Sequence, residues 1–242
     1  MKKLILLFSC VGVLSFSACQ ELQDVVKDSG LTNDEVIKGL KEALTVSTDT
    51  SVTVLNTLDG YYKDEAVKIL LPPEAAVIFD NLSLIPGGNV LVEQTVLAIN
   101  RAAEDAAVEA RPIFVNAITE MSFSDAFGIL NGHDSSATEY LNKTTYTDLM
   151  GAFSPKISNS LNKPLIGNTS AESLYGDLVS RYNTIAKASF GLLKPITDNT
   201  LGEYTTRKAL DGLFKKVTLE EGKIRNNLGH QVSDLLKRVF GE

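Results

Sequence analysis

The chain has 242 residues, with 23 Lys and Arg against 30 Asp and Glu, two cysteines and no Trp. An acidic balance, with no basic stripe carrying interleaved aromatics, argues against nucleic acid as a partner. Seven Tyr without clustering offer no evident stacking platform for sugars.

Met1-Lys2-Lys3 precedes an apolar run from Leu4 to Leu14. Spanning a bilayer takes roughly 20 apolar residues, so this shorter run is read as a signal peptide over residues 1–18. Phe16-Ser17-Ala18-Cys19 resembles a bacterial lipobox, in which small residues precede a cysteine. That resemblance implies cleavage before Cys19, acylation of its thiol and acylation of the new amino terminus. Phe16 departs from the usual Leu, and a plain secretory signal is the alternative reading. Cleavage also removes Cys10, so no disulfide forms within the mature chain and stability rests on the core. Residues 19–30 read as a lipid-anchored tether and 31–242 as a single helical domain. Gln20 gives no retention signal of the Asp type, which favours outer-membrane delivery and leaves the membrane face open.

Thr32-x-x-Glu35 is a capping box. Val36, Ile37, Leu40, Ala43 and Leu44 follow at helical spacing, and the pattern runs on to Gly60. A short helix is predicted from Pro73 or Glu74 to Leu82, then a turn at Pro86-Gly87-Gly88. Asn89 to about Arg111 forms an Ala-rich helix, with Val92, Val96, Ile99, Ala103, Ala106 and Ala110 on one side. Pro112 kinks or restarts it. Ser124–Leu130 is a short helix ending at Asn131-Gly132. Ser136-x-x-Glu139 is a second capping box, opening a helix near Tyr140. Residues 147–162 form another helix with Pro155 inside, and Lys163-Pro164 begins a loop. Thr169-x-x-Glu172 caps a helix to about Phe190. Leu201 to about Asn226 is a long helix, Leu228-Gly229 breaks it, and a last helix holds Val232, Leu235, Leu236, Val239 and Phe240. No alternating run competes as a strand. The fold class is therefore all-α, a multi-helix bundle of roughly seven to nine helices without a substantial sheet.

Four stretches carry a family resemblance: INRAAEDA at 99–106, ILNGHDSSATEYL at 129–141, KALDGLFKKVTLEEGKIRNN at 208–227, and LLKRVFG at 235–241. In this order and spacing the chain resembles the bacterial family known as domain of unknown function 4197, over roughly residues 31–241. The resemblance implies an exported or lipid-anchored helical protein and supplies no activity. His133 and Ser136 stand where Gly and Ala are expected, and Leu228 where Pro is frequent.

The polar residues of these motifs are Asn100, Arg101, Glu104, Asn131, Asp134, Glu220, Glu221 and Arg225. Arg101 with Glu104, and Glu221 with Arg225, are spaced to pair on a helix face. A guanidinium drawn out of water needs a carboxylate, so the expectation is one cluster in which these two pairs meet across a helix interface, with Asp134 capping a helix nearby. Such a cluster locks helix packing, lines a pocket for a polar head group, or performs acid–base chemistry; the first reading is favoured. His133 and His230 lack a second histidine at ligand spacing, and no metal or cofactor is expected. No Gly-x-Ser-x-Gly elbow is present. PGGN at 86–89 precedes a helix start but no Walker pattern follows.

The functional expectation is a non-catalytic envelope protein, anchored to the membrane through lipid on Cys19, that binds an apolar or amphiphilic ligand. The alternative is an envelope scaffold that contacts another protein, and an enzyme ranks third. A continuous apolar cavity above roughly 300 Å3 would favour the first, and a solid core with an exposed apolar patch the second.

Overall fold

The computed structural model describes residues 31–166, 168–197 and 200–241. The signal, Cys10, Cys19 and the tether lie outside the described residues. Helix α1 (Asn33–Asn56) begins with the capping box read from the sequence: Thr32 accepts from the Glu35 backbone N–H, and the Glu35 carboxylate accepts from the Thr32 N–H. An irregular segment, 57–72, leads to a 3-10 turn and the short α2 (Ala76–Asp80). Helix α3 (Gly88–Ala106) follows Gly87, whose φ of 70° makes the turn.

The long Ala-rich pattern breaks before Pro112 rather than at it. A 3-10 turn at Ala107–Glu109 separates α3 from α4 (Ala110–Glu120). Proline lacks the N–H that would bond four residues back and its ring crowds that carbonyl, here Val108. Helix α5 (Phe123–Leu130) starts one residue earlier than predicted, on a Ser122–Asp125 capping box.

Two predicted helices prove to be one. Helix α6 runs unbroken from Ser136 to Asn162 with Pro155 inside it. Gly151 and Pro155 both face solvent, so water can satisfy the carbonyl the proline leaves unbonded. Its N-cap is Ser135 without a side-chain bond, so the Ser136–Glu139 capping box does not form. The loop after Lys163 contains a short antiparallel pair, β1 (Pro164–Ile166) and β2 (Thr169–Ser170). Helix α7 (Ala171–Ala188) is capped by Ser170 rather than Thr169. Helix α8 (Gly202–Asn226) and the short α9 (Asp234–Phe240) complete the chain. Val232 stands outside α9 and is exposed.

The architecture is all-α. Helix α8 packs against α1 and α6, α3 against α6 and α7, α4 against α1 and α6, and α9 against α1. Ala98, Ala102, Ala103 and Ala106 of α3 are fully buried, so the small side chains admit the neighbouring helices closely. Gly39 serves the α9 contact: a Cβ there would lie 2.7 Å from Val239 Cγ2. No single described helix is long and apolar enough to cross a membrane.

Candidate functional site

The polar motif residues form two separate clamps, each holding an irregular turn. The first is built on α3. Asn100 is fully buried and treats Ile69 as a strand would: its Oδ1 accepts from the Ile69 N–H at 2.9 Å and its Nδ2 donates to the Ile69 carbonyl at 2.8 Å. Glu104 Oε1 accepts from the backbone N–H groups of Tyr61 and Tyr62, at 3.1 and 3.2 Å. Its Oε2 accepts from Arg101 Nη1 at 2.6 Å, and Arg101 Nη2 donates to Asp59 at 2.6 Å. Asp59 has a φ of 68°, a conformation Asp tolerates better than most residues. Lys63 and Arg101 beside it hold its carboxyl below the usual carboxylate range. Tyr61 is buried against α8, donating to the Ala209 carbonyl. Burial, and then the charge of Glu104, push its hydroxyl up. Gly212 makes the room, since a Cβ there would sit 2.8 Å from the Tyr61 ring.

The second clamp is built on α8. Glu221 is 5% exposed and accepts from the N–H groups of Ala137 and Thr138, at 3.0 and 2.8 Å, and from Thr138 Oγ1 at 2.7 Å. These are first-turn donors of α6, which have no partner within their own helix. Arg225 Nε donates to Glu221 at 3.1 Å while its Nη2 donates to the Ile129 carbonyl at 3.0 Å, in the last turn of α5. The ion pair thus sets its carboxylate on a helix N-terminus and its guanidinium on a helix C-terminus, matching both macrodipoles. Phe240 lies under Arg225, with its ring centre 5.9 Å away.

The expected meeting of the two pairs across an interface does not occur. Among the described residues no hydrogen bond or ion pair joins Arg101 or Glu104 to Glu221 or Arg225. Asp134 does not cap α6; its carboxylate accepts from Asn226 Nδ2 at 3.3 Å. Asn131 donates back to the Phe127 carbonyl, and Glu220 pairs with exposed Lys223. Glu104 and Glu221 each spend their oxygens on three or four donors inside the protein, which ties up the lone pairs a general base would use. Among the described residues no group of three or more His, Cys, Asp or Glu side chains gathers as a metal site.

The clamp residues lie in the stretches that the sequence motifs mark out, and so does the α5–α6 turn that the second clamp holds. A family model for proteins of unknown function, DUF4197, matches residues 30–241. The chain belongs to this family. Neither a curated protein nor a solved structure matches it. The DUF4197 motifs accordingly read as two clamps: INRAAEDA grips the segment after α1, and LEEGKIRNN grips the α5–α6 turn within ILNGHDSSATEYL.

Beside the second clamp lies a surface groove of about 510 Å3, lined by Leu130, Asp134, Arg225, Asn226, Leu228, Gln231, Val239 and Phe240. Gln231 is 3% exposed; its Nε2 donates to the Ile224 carbonyl, and its buried Oε1 has no partner. Sequence reading missed Gln231, which sits in the break after α8 with no periodic or motif signal. It did single out Leu228, Val239 and Phe240, but as core and break residues. Inside, the gap among Leu40, Leu44, Ala137, Glu221 and Phe240 measures about 10 Å3, room for about one water molecule.

Proposed function

We propose that this DUF4197 member is a lipid-anchored envelope protein that binds an amphiphilic ligand, without catalysis, in the groove between α5, the end of α8 and α9. The supporting observation is that groove: its 510 Å3 lies within the roughly 300–1,000 Å3 of small-molecule sites. It also pairs apolar walls with unspent polar acceptors. The seat is open to the surface and is not a continuous internal cavity: α3 spends its alanines on close helix packing. A second hollow of about 400 Å3, beside Leu58 and Lys63, is lined by Asp59 and Asp64, whose carboxylates are already paired.

The anchor rests on the lipobox-like FSAC stretch and is tested by mass spectrometry of the mature chain purified from membranes. The expected amino-terminal peptide starts at Cys19 and carries acyl chains on the thiol and the amine. A chain starting elsewhere with an unmodified Cys19 would overturn this part.

One observation favours the scaffold reading as a second function. Phe190 is fully exposed and Leu192 87% exposed, at a turn where Phe190 has a φ of 52° and Gly191 of 89°. Left-handed backbone is uncommon for a bulky residue. The turn is braced by Ser189, which donates to Ala186 and accepts from the Leu193 N–H, and by Tyr182, which donates to Lys194. Photo-crosslinking in cells from position 190 is expected to give a discrete adduct that a probe at exposed Lys143 on α6 does not. Identical patterns from both positions would sink this reading.

A further inference from the structure

We infer that the groove beside α9 selects amphiphiles whose polar end is a hydrogen-bond-donating cation, a primary ammonium, over those ending in a carboxylate or a lone hydroxyl. The inference rests on the groove being a binding site and names the class of ligand it takes.

The charges in the groove decide the sign. Arg225, the cation of the lining, has its charge paired with Glu221; one Nη2 hydrogen goes to the Ile129 carbonyl, and its face lies on Phe240. Asp134 remains, a carboxylate at the rim whose one hydrogen bond is a 3.3 Å contact from Asn226. The second acceptor is Gln231 Oε1, unpaired and closed off from solvent behind the groove lining. A buried acceptor left without a donor is destabilising, a cost that an entering N–H group removes and an entering carboxylate does not. A primary ammonium carries three donors and no acceptor, which suits two oxygen acceptors of this kind.

The remainder of the lining is apolar. Leu130, Leu228, Val239 and Phe240 form the walls, and Leu228 is 61% exposed. At Gly241 a Cβ would lie 2.4 Å from the Lys237 carbonyl and 3.1 Å from both Gln231 Oε1 and Leu228 Cδ2, so the absence of a side chain there lets the backbone pack close to the unpaired oxygen. The groove also opens where the described chain begins. Leu31 packs with Phe127, Leu130 and Val239, two of which are groove walls. Eleven residues separate Cys19 from Leu31. At about 3.3–3.6 Å per residue their reach is under roughly 40 Å, so an anchor at Cys19 keeps the groove within that distance of the bilayer.

An ammonium amphiphile has two sources, a membrane lipid with an ethanolamine head group or a soluble alkylamine. The test uses the full mature chain in non-ionic detergent and native mass spectrometry, titrated with octylamine, octan-1-ol, octanoate, dihexanoyl phosphatidylethanolamine and dihexanoyl phosphatidylglycerol. Octylamine is expected to bind one to one, at least about tenfold tighter than octan-1-ol or octanoate, as a charge-assisted contact requires. Asp134→Asn should erase that preference, and Leu228→Ser should weaken the amine and the alcohol alike. Both positions are solvent-facing, so an unchanged melting temperature verifies the fold. Binding of the ethanolamine lipid but not the glycerol lipid supports the inference and makes the bilayer the source; binding of octylamine with neither lipid supports it with a soluble source. Equal binding of alcohol, acid and amine, lowered by Leu228→Ser, overturns the ammonium selectivity and leaves the groove a binding site. Binding of none of the five overturns both.

Discussion

Replacing Glu221 with alanine should lower the stability of the domain by roughly 3–5 kcal/mol, the cost of breaking a buried ion pair from one side. The change strands Arg225, whose side chain is 11% exposed, and leaves the Ala137 and Thr138 N–H groups of α6 without an acceptor. For a domain of this size each kcal/mol moves the melting temperature by about 2–4 °C, so thermal unfolding should shift by about 10 °C. Glu221→Gln retains an acceptor for the helix N–H groups and should lose less. Combining Glu221→Ala with Arg225→Met removes the stranded charge, and the double variant should be more stable than the sum of the two singles predicts. A loss under about 1 kcal/mol for Glu221→Ala, the range of exposed pairs, would show that the clamp does not hold the turn.

The second large effect is expected at Glu104. Its side chain is 6% exposed, and alanine there removes the acceptor of Tyr61 N–H, Tyr62 N–H and Arg101 together. Leaving buried donors unmade costs about 1–3 kcal/mol. The sharper readout is local, because the segment 57–72 lacks regular structure over most of its length and depends on α3 for its contacts. Amide exchange at Tyr61 and Tyr62 should accelerate by more than about tenfold, as local opening becomes easier than global unfolding. Asn100→Ala should instead release the Ile69 amide, which its Oδ1 alone accepts. Unchanged protection at Tyr61 and Tyr62 in Glu104→Ala would mean that the segment is held by the packing of Tyr61 alone.

Much of the architecture was legible because the signals were local. Thr32 and Glu35 are three residues apart and cap each other, so the start of α1 could be read directly. The apolar spacing along α3 likewise named most of its buried face. Signals whose partner is distant were misread. Ser136 and Glu139 have the spacing of a capping box, yet the α6 donors are taken by Glu221 from another helix, which no local pattern announces. Pro155 was rightly placed inside a helix, where its exposure makes the lost hydrogen bond tolerable; the split expected before residue 147 is the one that does not exist, since α6 runs through it. The polar residues of the candidate site were found, but their pairing was not: helical spacing shows that Arg101 can reach Glu104 and says nothing of Asp59, Tyr61 or Tyr62. Gln231 carried no signal because an unsatisfied acceptor exists only once its surroundings are built.

The cap on α6 also bears on the order in which the domain assembles. Its carboxylate lies 84 residues downstream of Ala137, beyond the whole of α6, α7 and most of α8. A chain emerging amino end first completes α6 long before the acceptor for its first turn exists. Closing so long a loop costs entropy before any bond repays it, and contacts of such separation slow folding. The helices up to α7 therefore form an unfinished body rather than a subdomain, and the domain reaches its native state only after residue 225 is free to dock. A carboxy-terminal truncation that removes α8 acts on the middle of the chain as well as on its end.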